Sequence, residues 1–194
     1  MIPFSAMIIE SESAQPKGPA PDEGLIREIA GGSKDALAQL YRETDAAVYG
    51  FALSFLKNKY DAEDVMQETY LRIYAGAASY RPGGKPMAWI LTIAKNCALA
   101  KLRTAKRQPV VSPEDAELWR VEDPRQTRED QLVLEAAMTR LSDEERQIVV
   151  LYSAAGLKHR EIAELLQIPL STVLSKYRRA ILKLRNFIKE EELQ

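Results

Sequence analysis

Cysteine and histidine are almost missing from this chain of 194 residues, which has one of each. A single cysteine closes no intramolecular disulfide, and one cysteine with one histidine builds no Cys/His zinc cluster. The default compartment is therefore a reducing, cytoplasmic one. No apolar run approaches the length that spans a bilayer, and the opening MIPFSAMII has neither the basic start nor the long apolar stretch of a signal peptide. Neither secretion nor membrane insertion is expected. There is no Gly-rich phosphate loop, and no Ser/His/Asp set that the only histidine, His159, serves without leaving the helical motif around it. An enzyme is thus disfavoured, and no catalytic residue, metal ligand or cofactor is expected. What is present is ordinary for a globular protein: 46% hydrophobic and 28% charged residues, enough for two small domains and too apolar for disorder throughout.

The formal net charge of −1 hides an uneven distribution. Residues 95–107 hold five basic side chains and no acidic one, and residues 171–189 hold six and none. Between them, residues 112–130 carry seven acidic residues against three arginines, a net of −4 that masks both basic stretches. A near-neutral total therefore does not exclude a polyanionic partner.

Residues 1–23, with Pro16, Gly18, Pro19 and Pro21 among small and polar types, show no apolar period and read as a disordered tail. After the N-cap candidate Ser33, residues Leu37, Leu40, Tyr41, Thr44, Val48, Phe51, Ala52 and Phe55 recur at steps of three and four, predicting a long amphipathic helix. Asp61 is a cap candidate for an acidic helix reaching about Gly76. The stretch SYRPGGKP, residues 79–86, forces a loop, and a helix over 86–106 completes an N-terminal domain spanning 24–107. Residues 108–128 lose periodicity, gain Pro109, Pro113 and Pro124, and read as a flexible acidic linker in which Trp119 is a candidate for docking. A C-terminal domain, 129–194, follows with helices from about Asp130 to Leu141, from the cap Ser142 to Gly156, over 158–166 and over 170–190. No sustained alternation of period two occurs, so the fold class is all-α: two small helical domains, the second ending in a helix-turn-helix.

HREIAELLQIPLSTVLSKYRRA, residues 159–180, is the helix-turn-helix signature. The small Ala163 permits close helix crossing, Ile168 and Val173 sit at core positions, and Val173, Tyr177, Ala180 and Leu184 line an inner face. At about 100° per residue the opposite face centres on Ser171, Ser175 and Arg179, flanked by Thr172, Lys176 and Arg178. Short hydroxyls allow close approach to DNA, and arginines reach phosphates or the N7/O6 edge of guanine. The competing reading is an αα-hairpin with a solvated basic face.

On the helix over 86–106, Trp89, Asn96 and Arg103 follow one another at intervals of seven and share one side, close to Thr92 and Leu99. With Lys95, Lys101, Lys106 and Arg107 nearby, and Tyr80 in the preceding loop, they offer stacking, hydrogen-bonding and phosphate-binding groups suited to single-stranded nucleic acid. For each residue singly, core packing or solvation competes with that reading. Met87, Ile90, Leu91, Ala94, Cys97 and Ala98 form the core side in either case. A lone cysteine on an apolar face and a lone histidine at a helix start are read as structural.

Three segments in order, DAEDVMQETYLRIY (61–74), WILTIAKNCALAKLR (89–103) and the helix-turn-helix, resemble those of bacterial extracytoplasmic-function sigma factors of the sigma-70 family. The resemblance spans about residues 24 to 188. It implies a subunit that binds core RNA polymerase, including the clamp helices of its largest subunit and its flap, and directs initiation at minus-thirty-five/minus-ten promoters. By similarity, Asp61, Asp64, Gln67 and Glu68 meet the clamp helices. Tyr80 and Asn96 match positions where the family holds a base flipped from the non-template strand, with Trp89, Lys95, Arg103, Lys106 and Arg107 around the melted minus-ten DNA. Ser171, Thr172, Ser175, Lys176, Arg178 and Arg179 face the double-stranded minus-thirty-five element. The family also implies an anti-sigma partner.

Ala100 stands where the family usually has an acid, Gln167 where a turn glycine is common, and Leu174 where a base-contacting basic residue is frequent. Ser171 replaces a frequent glycine and is a candidate N-cap. The alternative from the residues alone is a self-sufficient helix-turn-helix regulator whose N-terminal helices form a dimerisation or ligand domain.

Overall fold

A computed structural model describes residues 20–107 and 128–191. The first three helices start where short polar side chains satisfy otherwise orphaned backbone N–H groups. Asp22 accepts from the Gly24 amide at 3.0 Å and opens α1, Glu23–Ala30. Ser33 accepts from Ala36 at 3.2 Å and opens α2, Lys34–Leu56. Asn58 accepts from the Asp61 amide at 3.0 Å and opens α3, Lys59–Gly76. A 3-10 turn, Ala77–Ser79, leads into a loop and then α4, Pro86–Arg107. The C-terminal domain consists of α5, Arg128–Thr139; α6, Asp143–Ser153; α7, His159–Leu166; and α8, Leu170–Glu191.

The described residues are helical and arranged in two domains, as expected, with three corrections at boundaries. The tail does not extend to residue 23: Pro21 is buried, Asp22 is a cap and Glu23 is helical, because Leu25, Ile26 and Ile29 anchor the two turns of α1 in the core. Asp61 does not cap the acidic helix, since Asn58, three residues earlier, takes that place. Ser171 does not cap α8 either; Leu170 is already helical and the Pro169 carbonyl receives the Thr172 and Val173 amides. The remainder of the tail and the linker, with Trp119, lie outside the described residues.

In the N-terminal domain α2, α3 and α4 pack through Leu40, Val48, Phe51, Ala52, Ile73, Ile90, Leu91 and Ala94, all fully buried. Buried hydroxyls are satisfied locally: Thr44 donates to the Leu40 carbonyl at 2.7 Å and shares a 2.7 Å hydrogen bond with the Tyr70 hydroxyl. In the C-terminal domain Ser142 and Glu145 form a capping box on α6, and Glu145 also binds Lys183 of α8 at 2.7 Å. The buried Arg146 donates to the Met138 and Leu141 carbonyls, both at 3.1 Å, so the end of α5 is closed by a side chain of α6.

The two domains touch. Gly50 of α2 lies against Val150 of α6, Lys57 pairs with Asp143 at 2.8 Å, and the Lys95 amine donates to the Leu165 carbonyl at 2.6 Å. That carbonyl belongs to the last turn of α7, where backbone acceptors lack intrahelical partners and the helix dipole favours a cation. Lys85 adds an exposed 3.5 Å pair with Glu164.

Candidate functional site

The six residues expected beneath α4, Met87, Ile90, Leu91, Ala94, Cys97 and Ala98, are all buried, and this fixes the opposite side. Burial also raises the Cys97 thiol pKa, consistent with a packing role. Thr92, Asn96 and Arg103 are exposed, whereas Trp89 is half-buried beneath Tyr80, with ring centroids 5.0 Å apart and planes tilted by 59°. The Tyr80 hydroxyl donates to Glu23 Oε1 at 2.6 Å, and burial together with that carboxylate pushes its pKa up. Tyr80 and Trp89 thus form one aromatic unit at the head of a polar strip. Lys95 leaves the strip: its amine turns to Leu165 of α7, and burial lowers its pKa. The side chains of Lys106 and Arg107 lie outside the described residues.

On α3, Asp61 and Asp64 both reach Lys101 of α4, at 3.0 and 2.6 Å. Hydrogen bonding to Asp64 raises the Lys101 pKa, so the cation is held by the acids it neutralises. Glu68 accepts from Arg72 Nε at 2.6 Å, and Gln67 is exposed. The surface is therefore less acidic than its sequence. Leu71 and Tyr74 were missing from the expected set: Leu71 is 66% exposed and Tyr74 is exposed one turn further on. Their spacing of four and seven from Gln67 places them on its side of the helix, a periodicity that reading α3 by its acids alone passes over.

In the helix-turn-helix, Ile162, Val173, Ala180 and Leu184 are fully buried. His159, Tyr152 and Tyr177 form a three-ring cluster with centroids 4.6 to 4.8 Å apart, and burial lowers the His159 pKa. Gln167, at the common glycine position of the turn, has φ 59°. Opposite the core, Ser171, Ser175, Arg178 and Arg179 are exposed together. The Ser175 hydroxyl donates to the Thr172 carbonyl at 3.0 Å, and Arg179 Nε donates to the Ser175 carbonyl at 3.4 Å. Thr172 is half-buried, and Lys176 folds towards α6 to pair with Glu144. Leu174 and Leu182 are about half exposed on the outer side, giving this surface an apolar component. Among the described residues no group of three His, Cys, Asp or Glu side chains is placed to hold a metal ion, and no helix is long and apolar enough to cross a membrane.

Comparison with known proteins agrees with this layout. Residues 40–108 match the family model Sigma-70 region 2, and residues 131–184 match Sigma-70, region 4. The chain is similar to the ECF RNA polymerase sigma factor SigK of Mycobacterium ulcerans, with 31% identity over 179 residues covering 88% of this chain and 96% of that relative. Its fold is similar to that of the sigma factor RpoE of Bartonella quintana, solved with the anti-sigma factor NepR; the TM-score is 0.65 at 23% identity, covering 81% of this chain and 98% of that one. It is also similar to CnrH, solved in complex with the cytosolic domain of CnrY, with a TM-score of 0.60 at 22% identity over 88% and 98% of the two chains. With both matched regions in order on two packed helical domains, this chain belongs to the extracytoplasmic-function sigma factors of the sigma-70 family.

Proposed function

We propose that this sigma factor directs core RNA polymerase in the cytoplasm to minus-thirty-five/minus-ten promoters, with each of its three polar surfaces serving a different partner. The outer face of α8 reads the double-stranded minus-thirty-five element. Arg178 and Arg179 supply phosphate or guanine contacts, and Ser171 and Ser175 leave room for close approach. The strip on α4, headed by Tyr80 and Trp89 and continuing through Asn96 to Arg103, holds the melted minus-ten strand by stacking, amide hydrogen bonding and charge. On α3, Asp64, Gln67 and Glu68, joined by Leu71 and Tyr74, dock on the clamp helices of the polymerase, while the C-terminal domain approaches its flap. The catalytic chemistry of RNA synthesis belongs to the polymerase.

The observation that carries this reading is the exposure of Ser171, Ser175, Arg178 and Arg179 on one side of a helix whose other side is sealed by Val173, Ala180 and Leu184. The chain also shares its fold with two proteins solved in complexes, one of them with an anti-sigma factor, which supports an anti-sigma partner here. The test is run-off transcription by purified core polymerase on fragmented genomic DNA, with and without this chain. Discrete starts that depend on the chain are expected. Sequence-specific DNA binding by the chain alone, with no new starts, would instead favour a free-standing regulator.

A further inference from the structure

Three donors from one loop converge on a single oxygen of a helix that precedes it by almost sixty residues in sequence. Glu23 Oε1 accepts from the Tyr80 hydroxyl at 2.6 Å, the Gly83 amide at 3.0 Å and the Gly84 amide at 2.6 Å. The loop would otherwise be poorly determined: it contains two glycines and lies between the 3-10 turn and α4, with Gly84 at φ 70°. Ordering such a segment opposes a large backbone entropy, which three charge-assisted hydrogen bonds offset in part. The carboxylate itself is well anchored, because α1 is capped by Asp22 and buries Leu25, Ile26 and Ile29 in the core. Tyr80 is consequently oriented from two ends, its hydroxyl by Glu23 and its ring by Trp89.

We propose that Glu23 is a positioning residue for promoter opening: its carboxylate holds Tyr80 and the Gly83 and Gly84 amides in the shape that receives an unstacked minus-ten base. The proposal rests on the minus-ten reading above. Glu23 acts before DNA arrives, so that capture of the base does not also have to order the loop. The hydrogen bonds from Tyr80, Gly83 and Gly84 hold the Glu23 carboxyl below its usual pKa, keeping it an acceptor throughout the neutral range.

The experiment uses reconstituted holoenzyme on a promoter obtained by run-off selection, with strand opening read by permanganate reactivity of minus-ten thymines. Polymerase co-elution and thermal melting of each variant are measured alongside. Glu23→Ala is expected to reduce opening about five- to tenfold, with polymerase binding unchanged. Glu23→Gln, which retains an acceptor oxygen of similar reach, should recover most of the loss. In a Tyr80→Phe background, Glu23→Ala should have a smaller effect than in the natural chain, because the two share one hydrogen bond. Equal losses in Ala and Gln variants, accompanied by weaker polymerase binding, would mark Glu23 as a general stability residue and overturn the proposal. Normal opening by Glu23→Ala alongside impaired opening by Asn96→Ala would overturn it while leaving the minus-ten reading intact. Normal opening by both Asn96→Ala and Tyr80→Ala would defeat that reading, and this proposal with it.

Discussion

Gln167 shows how one residue can carry a local cost for the fold. Its φ of 59° lies in the left-handed region, where a side chain is disfavoured by about 1 kcal/mol or more and glycine is not. Gln167→Gly is therefore expected to stabilise the protein by about 0.5–1 kcal/mol, the gain being reduced by the greater freedom of glycine in the unfolded chain. An upward shift of the urea midpoint at constant slope would bear this out; a downward shift would show that the glutamine side chain contributes more than its backbone costs. His159 supplies a pH signature. Burial lowers its pKa below the ordinary 6.5, so the unfolded chain binds its proton more readily than the folded one. Stability should be full above about pH 7 and fall as the pH drops through the ordinary histidine range. His159→Phe, which keeps a ring between Tyr152 and Tyr177, should flatten this dependence in denaturant melts at a series of pH values. An unchanged slope would locate the titration elsewhere.

At the scale of the helix, α8 separates charges that look equivalent in sequence. Arg179 is exposed opposite the core, whereas Lys176 is half-buried and paired with Glu144 of α6. In holoenzyme binding to the minus-thirty-five element, Arg179→Ala should weaken discrimination by about 1–3 kcal/mol, while Lys176→Ala should change affinity and salt dependence little. The reverse result would mean that Lys176 leaves Glu144 for a phosphate. This contrast also marks how far the sequence was readable. The buried side of α4 was legible because 87, 90, 91, 94, 97 and 98 repeat at helical spacing, and the inner face of α8 for the same reason. The helix α1 was not, since its three apolar anchors fill only two turns directly after a proline-rich stretch. Pairings such as Asp64 with Lys101 and Glu23 with Tyr80 were equally hidden, because they join residues 37 and 57 positions apart. Periodicity fixes which face a residue occupies, but it does not choose the distant partner of a long polar side chain.

Across the whole molecule, the contact between domains bears directly on DNA binding. Lys95, expected near the melted strand, instead donates to the Leu165 carbonyl of α7, so in this arrangement its amine is turned towards the C-terminal domain and away from the strip on α4. The ionic pairs at the boundary are weak holders: Lys57–Asp143 and Lys85–Glu164 are largely exposed, and pairs of that kind contribute at most about 1 kcal/mol. Apolar packing between α2 and α6, as at Gly50 and Val150, is the more substantial restraint. Engagement of two separate promoter elements should therefore draw the domains apart at a cost set mainly by this apolar packing, once polymerase supplies a surface for each. Zero-length carbodiimide coupling offers a direct test, since it joins an amine to a carboxylate only when the two are in contact. The free chain should yield a Lys57–Asp143 cross-link at 2.8 Å separation, identifiable by peptide mass spectrometry. Assembly with core polymerase and promoter should suppress that product, and chain cross-linked beforehand should fail to support run-off transcription. Undiminished cross-linking within an active promoter complex would mean that the domains stay together during initiation.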